Sequence, residues 1–109
     1  MIGEVKGKDV LLVDDMIDAA GTITNAANLI KEKGAKSVHA AVTHGLFSPP
    51  AMERIAESSL EEIIVTDTVP LNEKAKKSKK ITVISVAKLL AEAIRCIYTG
   101  QSISKKLYP

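Results

Sequence analysis

Aromatic side chains are nearly missing from this sequence, which has one Phe, two Tyr and no Trp among 109 residues. Platforms on which nucleic-acid bases stack are therefore poorly supplied. The charges almost cancel: 15 Lys and Arg stand against 13 Asp and Glu, a formal net charge of +2. That balance gives little reason to expect nucleic acid or a membrane surface as a partner. The single cysteine, Cys96, excludes an internal disulfide and makes a reducing, cytoplasmic compartment the default expectation. No uninterrupted apolar run approaches the roughly 18 residues that a membrane span requires, and the first residues lack a signal-peptide core.

What remains is enough for one domain, because 46% of the residues are hydrophobic and a chain of this length can bury a core. The chemistry concentrates in one stretch. Val10, Leu11, Leu12 and Val13 are four apolar residues in a row, as in a strand buried on both faces of a parallel sheet. Asp14 and Asp15 arrive where that run stops, followed by Asp18, the small residues Ala19, Ala20 and Gly21, and Thr22 at the mouth of a helical pattern. Strand, tight loop and helix start together present several backbone N–H groups to one anion.

The two halves of this motif suit two halves of one ligand. Asp14 and Asp15 only accept hydrogen bonds when ionised, so they suit sugar hydroxyls or, through water, a divalent cation. The loop formed by Asp18, Ala19, Ala20, Gly21 and Thr22 suits a phosphate. Gly21 allows close approach, Thr22 offers a hydroxyl, and the helix adds its positive end. A sugar phosphate lying across the carboxyl end of a strand is what open α/β sheets bind at that edge. Helix capping alone would account for Asp18 or Thr22. It leaves unexplained two mutually repelling carboxylates at the end of an apolar strand, an arrangement that a cation or hydroxyl donors would compensate.

The rest of the chain reads as scaffold. Ile23, Ala26, Ala27 and Ile30 recur at the spacing of one helix face, and Lys31, Lys33 and Gly34 supply a basic last turn and a stop. A second strand is expected at residues 37–42, completing a βαβ unit with a right-handed crossover. Ser48 before Pro49 predicts a helix cap, Ile63, Ile64 and Val65 a third strand, and Ile81, Thr82, Val83 and Ile84 a fourth. Ser85 is expected to cap a last helix whose apolar face is Val86, Leu89, Leu90, Ala93, Ile94 and Ile97. Residues 66–72 leave the third strand on the ligand side, where Thr66, Asp67 and Thr68 would line the site. The lysines at 74, 76, 77, 79 and 80 read as a solvated linker rather than a polyanion patch. His39 and His44 have no partners at metal-ligand spacing. His39 reads as a locally bonded strand residue and Cys96 as packing, while a place at the ligand edge is the less favoured reading of His44.

The motif resembles the phosphoribosyl diphosphate binding loop of the type I phosphoribosyltransferase fold. Beyond it, residues 3–8, Thr43-His44-Gly45, residues 65–70 and residues 90–95 are similar, collinearly, to the C-terminal part of ribose-phosphate pyrophosphokinase. The resemblance implies a three-layer α/β fold, a parallel sheet with helices on both faces, present as a partial domain. Residues 1–109 would be the C-terminal part of a phosphoribosyltransferase-like domain, without its N-terminal companion or early strands. It implies transfer of a diphosphoryl group from ATP to ribose 5-phosphate, giving 5-phosphoribosyl diphosphate and AMP, with Mg²⁺ required. Asp14 and Asp15 would hold the ribose hydroxyls, residues 18–22 the 5-phosphate, and Ser102 and Ser104 would contribute to an allosteric anion site. It further implies a homo-oligomer.

Departures from the family pattern sharpen the expectation. Ala19 stands where the family often has threonine, and the tail after Ser104 is one residue longer than the pattern. The adenine-binding residues, the metal-binding histidine and the basic catalytic loop of the family match nothing in this chain. The isolated chain is therefore expected to lack diphosphokinase activity. A phosphoribosyltransferase would need a base-recognising hood, and no segment supplies one. A non-catalytic, synthetase-associated assembly protein is the third class, against which the intact acidic pair and loop count.

Overall fold

The computed structural model describes residues 4–100. Its elements alternate: β1 (Asp9–Ile17), α1 (Gly21–Glu32), β2 (Ser37–Gly45), α2 (Ala51–Glu57), β3 (Leu60–Thr66), α3 (Glu73–Lys76), β4 (Ile81–Ile84) and α4 (Ala87–Thr99). The strands form one parallel sheet in the order β1-β2-β3-β4. The α/β class and the parallel sheet are as the sequence leads one to expect.

Strands laid down in chain order by right-handed crossovers send their helices to the same face. The core agrees. Ala27 and Ile30 of α1, Ala51 and Ile55 of α2 and Ala75 of α3 share one buried cluster with Val38, Ala40 and Val42 of β2 and Ile63 and Val65 of β3. Ile55 and Ile63 are wholly inaccessible to solvent, and burial of such a side chain stabilises by roughly 1.5–3 kcal/mol. The alternate residues of the strands point to the other face. There Leu11 and Val13 are 57% and 75% exposed. α1, α2 and α3 thus form a helical layer on one face of the sheet.

Several boundaries differ from the sequence reading. β1 continues through both carboxylates to Ile17, because its pairing with β2 continues: Asp14 opposite Val42, Met16 opposite His44, Ile17 opposite Gly45. Burial does not follow the apolar run: Leu11 and Val13 within it are exposed, so the strand is not buried on both faces, whereas Ile17 at the end of the ladder is buried. Ser48 does not cap α2 with its side chain. The cap position is Pro50, after a cis Pro49-Pro50 bond, and Ser48 contributes its carbonyl, which accepts from Ala51 N at 2.9 Å.

The stretch expected to be loop and basic linker contains α3. Asn72 caps it by accepting from Ala75 N at 2.9 Å, while its amide donates to Phe47 O at 3.0 Å. The lysines tether rather than gather: Lys74 pairs with Glu53 at 2.6 Å, and Lys80 Nζ donates to Ile55 O at 3.1 Å. α4 has the predicted spacing, yet Ile94 and Ile97 are 66% and 72% exposed. Its buried residue is Cys96, in keeping with a packing role.

Candidate functional site

At the carboxyl end of β1 the chain turns through residues 18–20 into α1 and encloses a recess of about 400 Å³. Asp14, Met16, Ile17, Asp18, Ala19, Ala20, Gly21, Thr22 and Ile23 line it. One acid of the pair and the whole predicted loop are therefore brought together. Asp15 is not among the lining residues. Its N–H donates to Asp14 Oδ1 at 2.7 Å. Asp14, Asp15 and Asp18 are all exposed, and none makes an ion pair among the described residues.

The loop is shaped by Ala20, which adopts the left-handed conformation at φ 66°. A non-glycine residue there costs roughly 1–2 kcal/mol, so neighbouring bonds must hold it. Thr24 does so from one helical turn onward: its N–H and its hydroxyl both donate to Ala20 O, at 3.1 and 2.6 Å. Arg54 of α2 does so from outside, its Nη1 donating to Ala19 O at 3.1 Å. Sequence reasoning missed both residues. Thr24 is four positions beyond Ala20 and on the buried helix face, a signal that was available; nothing in the sequence ties Arg54 to Ala19.

No side chain caps α1. Asp18, for which capping was the plain structural explanation, does not perform it. The first N–H groups of a helix have no intrahelical acceptor, and here they open on the recess with the positive end of the macrodipole behind them. Acidic and amide-rich ends within one recess can take a molecule carrying hydroxyls at one end and an anion at the other.

Among the described residues, no group of three His, Cys, Asp or Glu side chains converges as a metal cage. The exposed Asp14 carboxylate, with Asp15 next to it on the strand, nevertheless fits Mg²⁺, which keeps most of its water and is commonly held by one or two carboxylates and the phosphates of a substrate.

The neighbouring loops are tied to one another rather than to the recess. His44 Nδ1 lies 2.7 Å from Thr68 Oγ1, and the Thr66 and Thr68 hydroxyls donate to Thr43 O at 2.6 and 3.2 Å. Asp67 accepts from Val86 N at 2.9 Å. That bond, with a second from the Ser85 hydroxyl, holds its carboxyl below the ordinary aspartate value. None of these residues lines the recess. His39 lies 3.6 Å from Glu61 and 4.0 Å from Glu62, the local partnership expected of it. Ser102 and Ser104 lie outside the described residues.

Comparison with known proteins gives the family. The chain is 52% identical over 105 residues to a ribose-phosphate pyrophosphokinase of Caldanaerobacter subterraneus subsp. tengcongensis, covering 96% of this chain and 33% of that protein. It is 50% identical over 104 residues to the ribose-phosphate pyrophosphokinase of Aquifex aeolicus, covering 95% and 33%. The crystal structure of phosphoribosylpyrophosphate synthetase from Mycobacterium smegmatis superposes with a TM-score of 0.84 at 49% identity, covering 91% of this chain and 33% of that one. The chain thus spans about a third of the length of these relatives. Residues 1–108 match the profile of the phosphoribosyl synthetase-associated domain, and it is to that family that the chain belongs.

Proposed function

We propose that this chain carries the ribose 5-phosphate half-site of a ribose-phosphate diphosphokinase, and that it corresponds to the C-terminal part of a phosphoribosyltransferase-like domain. The observation that carries the reading is the recess, with Asp14 at one end and the uncapped start of α1 at the other. Amides of Gly21 and Thr22, the Thr22 hydroxyl and the helix dipole would take the 5-phosphate. Asp14, with Asp15 beside it on the strand, would take the ribose hydroxyls and the water shell of Mg²⁺. The cation, when bound, supplies charge neutralisation for the phosphates; the chain's own residues bind and orient the sugar. In phosphoryl-type transfer such positioning is itself a large part of the acceleration.

The ATP site of this reading lies largely outside these residues, so the chain by itself is expected to bind and not to turn over. The names of its relatives support the reaction class. We also assign it to a cytoplasmic homo-oligomer, a reading supported by the open face carrying Leu11 and Val13. No helix of the described residues is long and apolar enough to cross a membrane.

Calorimetric titration with ribose 5-phosphate, 5-phosphoribosyl diphosphate and ATP, each with and without Mg²⁺, tests the proposal. Ribose 5-phosphate is expected to bind, Asp14→Asn to weaken it by about tenfold, as loss of a charged hydrogen bond does, and ATP to bind weakly or not at all. A chain that takes up neither phosphorylated sugar would overturn the proposal in favour of an assembly role. AMP production from ATP and ribose 5-phosphate by the isolated chain would overturn the half-site restriction.

A further inference from the structure

Arg54 and Gly21 meet behind the loop. The Arg54 guanidinium reaches across from α2, 35 residues away in sequence, to donate to Ala19 O at 3.1 Å. It makes no ion pair among the described residues. An ideal Cβ at Gly21 would stand 3.0 Å from its Nη1 and 3.8 Å from its Cζ. Gly21 does not have positive φ; the left-handed residue of the loop is Ala20. Backbone conformation therefore gives no reason for glycine at 21, the first residue of α1, where alanine favours the helix by up to about 1 kcal/mol. Room for the guanidinium gives one.

The direction of that hydrogen bond matters. A trans peptide sets the N–H of one residue opposite the carbonyl of the residue before it. With Ala19 O drawn to α2, the Ala20 N–H points away from α2. Thr24 draws the next carbonyl, Ala20 O, back to the helix. Two consecutive carbonyls are thus turned from the anion side of the loop, and the charged side chain that holds one of them leaves its positive charge close behind. A carbonyl oxygen facing a phosphate would repel it; a held carbonyl does not.

From this we infer that Arg54 is a positioning residue for the phosphate loop, and that Gly21 is glycine so that the guanidinium can close on Ala19. The inference rests on the loop's being a phosphate site for its effect on binding, but not for its effect on the loop.

The test measures backbone amide exchange of residues 20–23 by NMR together with affinity for ribose 5-phosphate, in the full chain and in Arg54→Met, Arg54→Lys and Gly21→Ala. Arg54 is exposed, so these variants are expected to fold, and the buried strand residues Val38 and Ile63 serve as the internal reference. Arg54→Met should raise exchange at 20–23 and the dissociation constant each by about tenfold, the size expected for one charged hydrogen bond. Arg54→Lys, which keeps a charge and a donor, should recover part of both. Gly21→Ala should also raise loop exchange, although its helix preference alone would lower it.

Unchanged loop exchange in Arg54→Met, or exchange that rises equally at Val38 and Ile63, would overturn the inference. So would loop exchange that falls in Gly21→Ala. If the unaltered chain binds no ribose 5-phosphate while loop exchange responds as stated, the clamp stands and the phosphate reading falls.

Discussion

Thr24 Oγ1 donates to the carbonyl of Ala20 at 2.6 Å and lies 3.2 Å from that of Gly21, binding the first turn of α1 to the residue that gives the loop its shape. Thr24 is only 5% exposed, so its hydroxyl has little recourse to water. Thr24→Val keeps the volume and removes the donor. The expected cost is about 1 kcal/mol, held to that size because Thr24 N also donates to Ala20 O. Urea denaturation reads it, and Thr24→Ser should lose less of the loop's order than Thr24→Val.

Gly45 closes β2 where the strand meets its own continuation. A Cβ placed there would sit 2.5 Å from Cε2 of Phe47 and 3.1 Å from Cγ1 of Val65. Both side chains are almost completely buried, and Phe47 itself has positive φ, so neither can swing clear. Gly45→Ala is expected to destabilise by roughly 1–3 kcal/mol, the usual cost of overpacking. A melt that left the midpoint within error of the parent would show that the Phe47 ring can move.

What was legible in the sequence follows from which forces are local. The βαβ order, the face of α1 and the stop at Gly34 are written in periodicity and capping chemistry, and the structure bears them out. The end of β1 was not legible at Val13, because strand length is set by pairing with residues 42–45, far along the chain. α3 hid inside a lysine run, since the contacts that hold it, Asn72 with Phe47 O, Lys74 with Glu53 and Ala75 in the core, reach to residues far along the chain. Of the site, the loop was visible as small residues at a helix start. Its clamp was not, because a hydrogen bond from Arg54 to Ala19 O uses a backbone atom that every residue has.

Asp67 links β3 to the start of α4, and its dependence on pH has a definite sign. Hydrogen bonds from Val86 N and the Ser85 hydroxyl lower its folded value below the ordinary one. At acid pH the unfolded chain therefore binds the proton more readily than the folded chain does. The stabilisation is full above the unfolded aspartate value of about 3.9 and is lost as pH falls through the lower folded value. Comparing Asp67→Ala with the parent isolates this one group from the other carboxylates. The difference in melting temperature should be constant from neutral pH to about 5 and shrink towards pH 3. A difference that widened on acidification would contradict the assignment.

Ala19 offers the clearest gain-of-function experiment. It lines the recess beside Asp18. Unlike its neighbour Ala20, it is not among the residues with positive φ, so a β-branched side chain meets no backbone penalty there. Ala19→Thr adds one hydroxyl to the recess while leaving Ala19 O free to accept from Arg54. One additional hydrogen bond of about 0.5–1.5 kcal/mol corresponds to a gain of roughly twofold to tenfold in ribose 5-phosphate affinity, read by calorimetry with Mg²⁺ present. The same residue at position 20 should do the reverse, because φ of 66° at Ala20 excludes a β-branched side chain without strain. Opposite responses at adjacent positions would separate a hydroxyl that reaches the phosphate from a general tolerance of the loop, and equal responses would remove the phosphate from the argument.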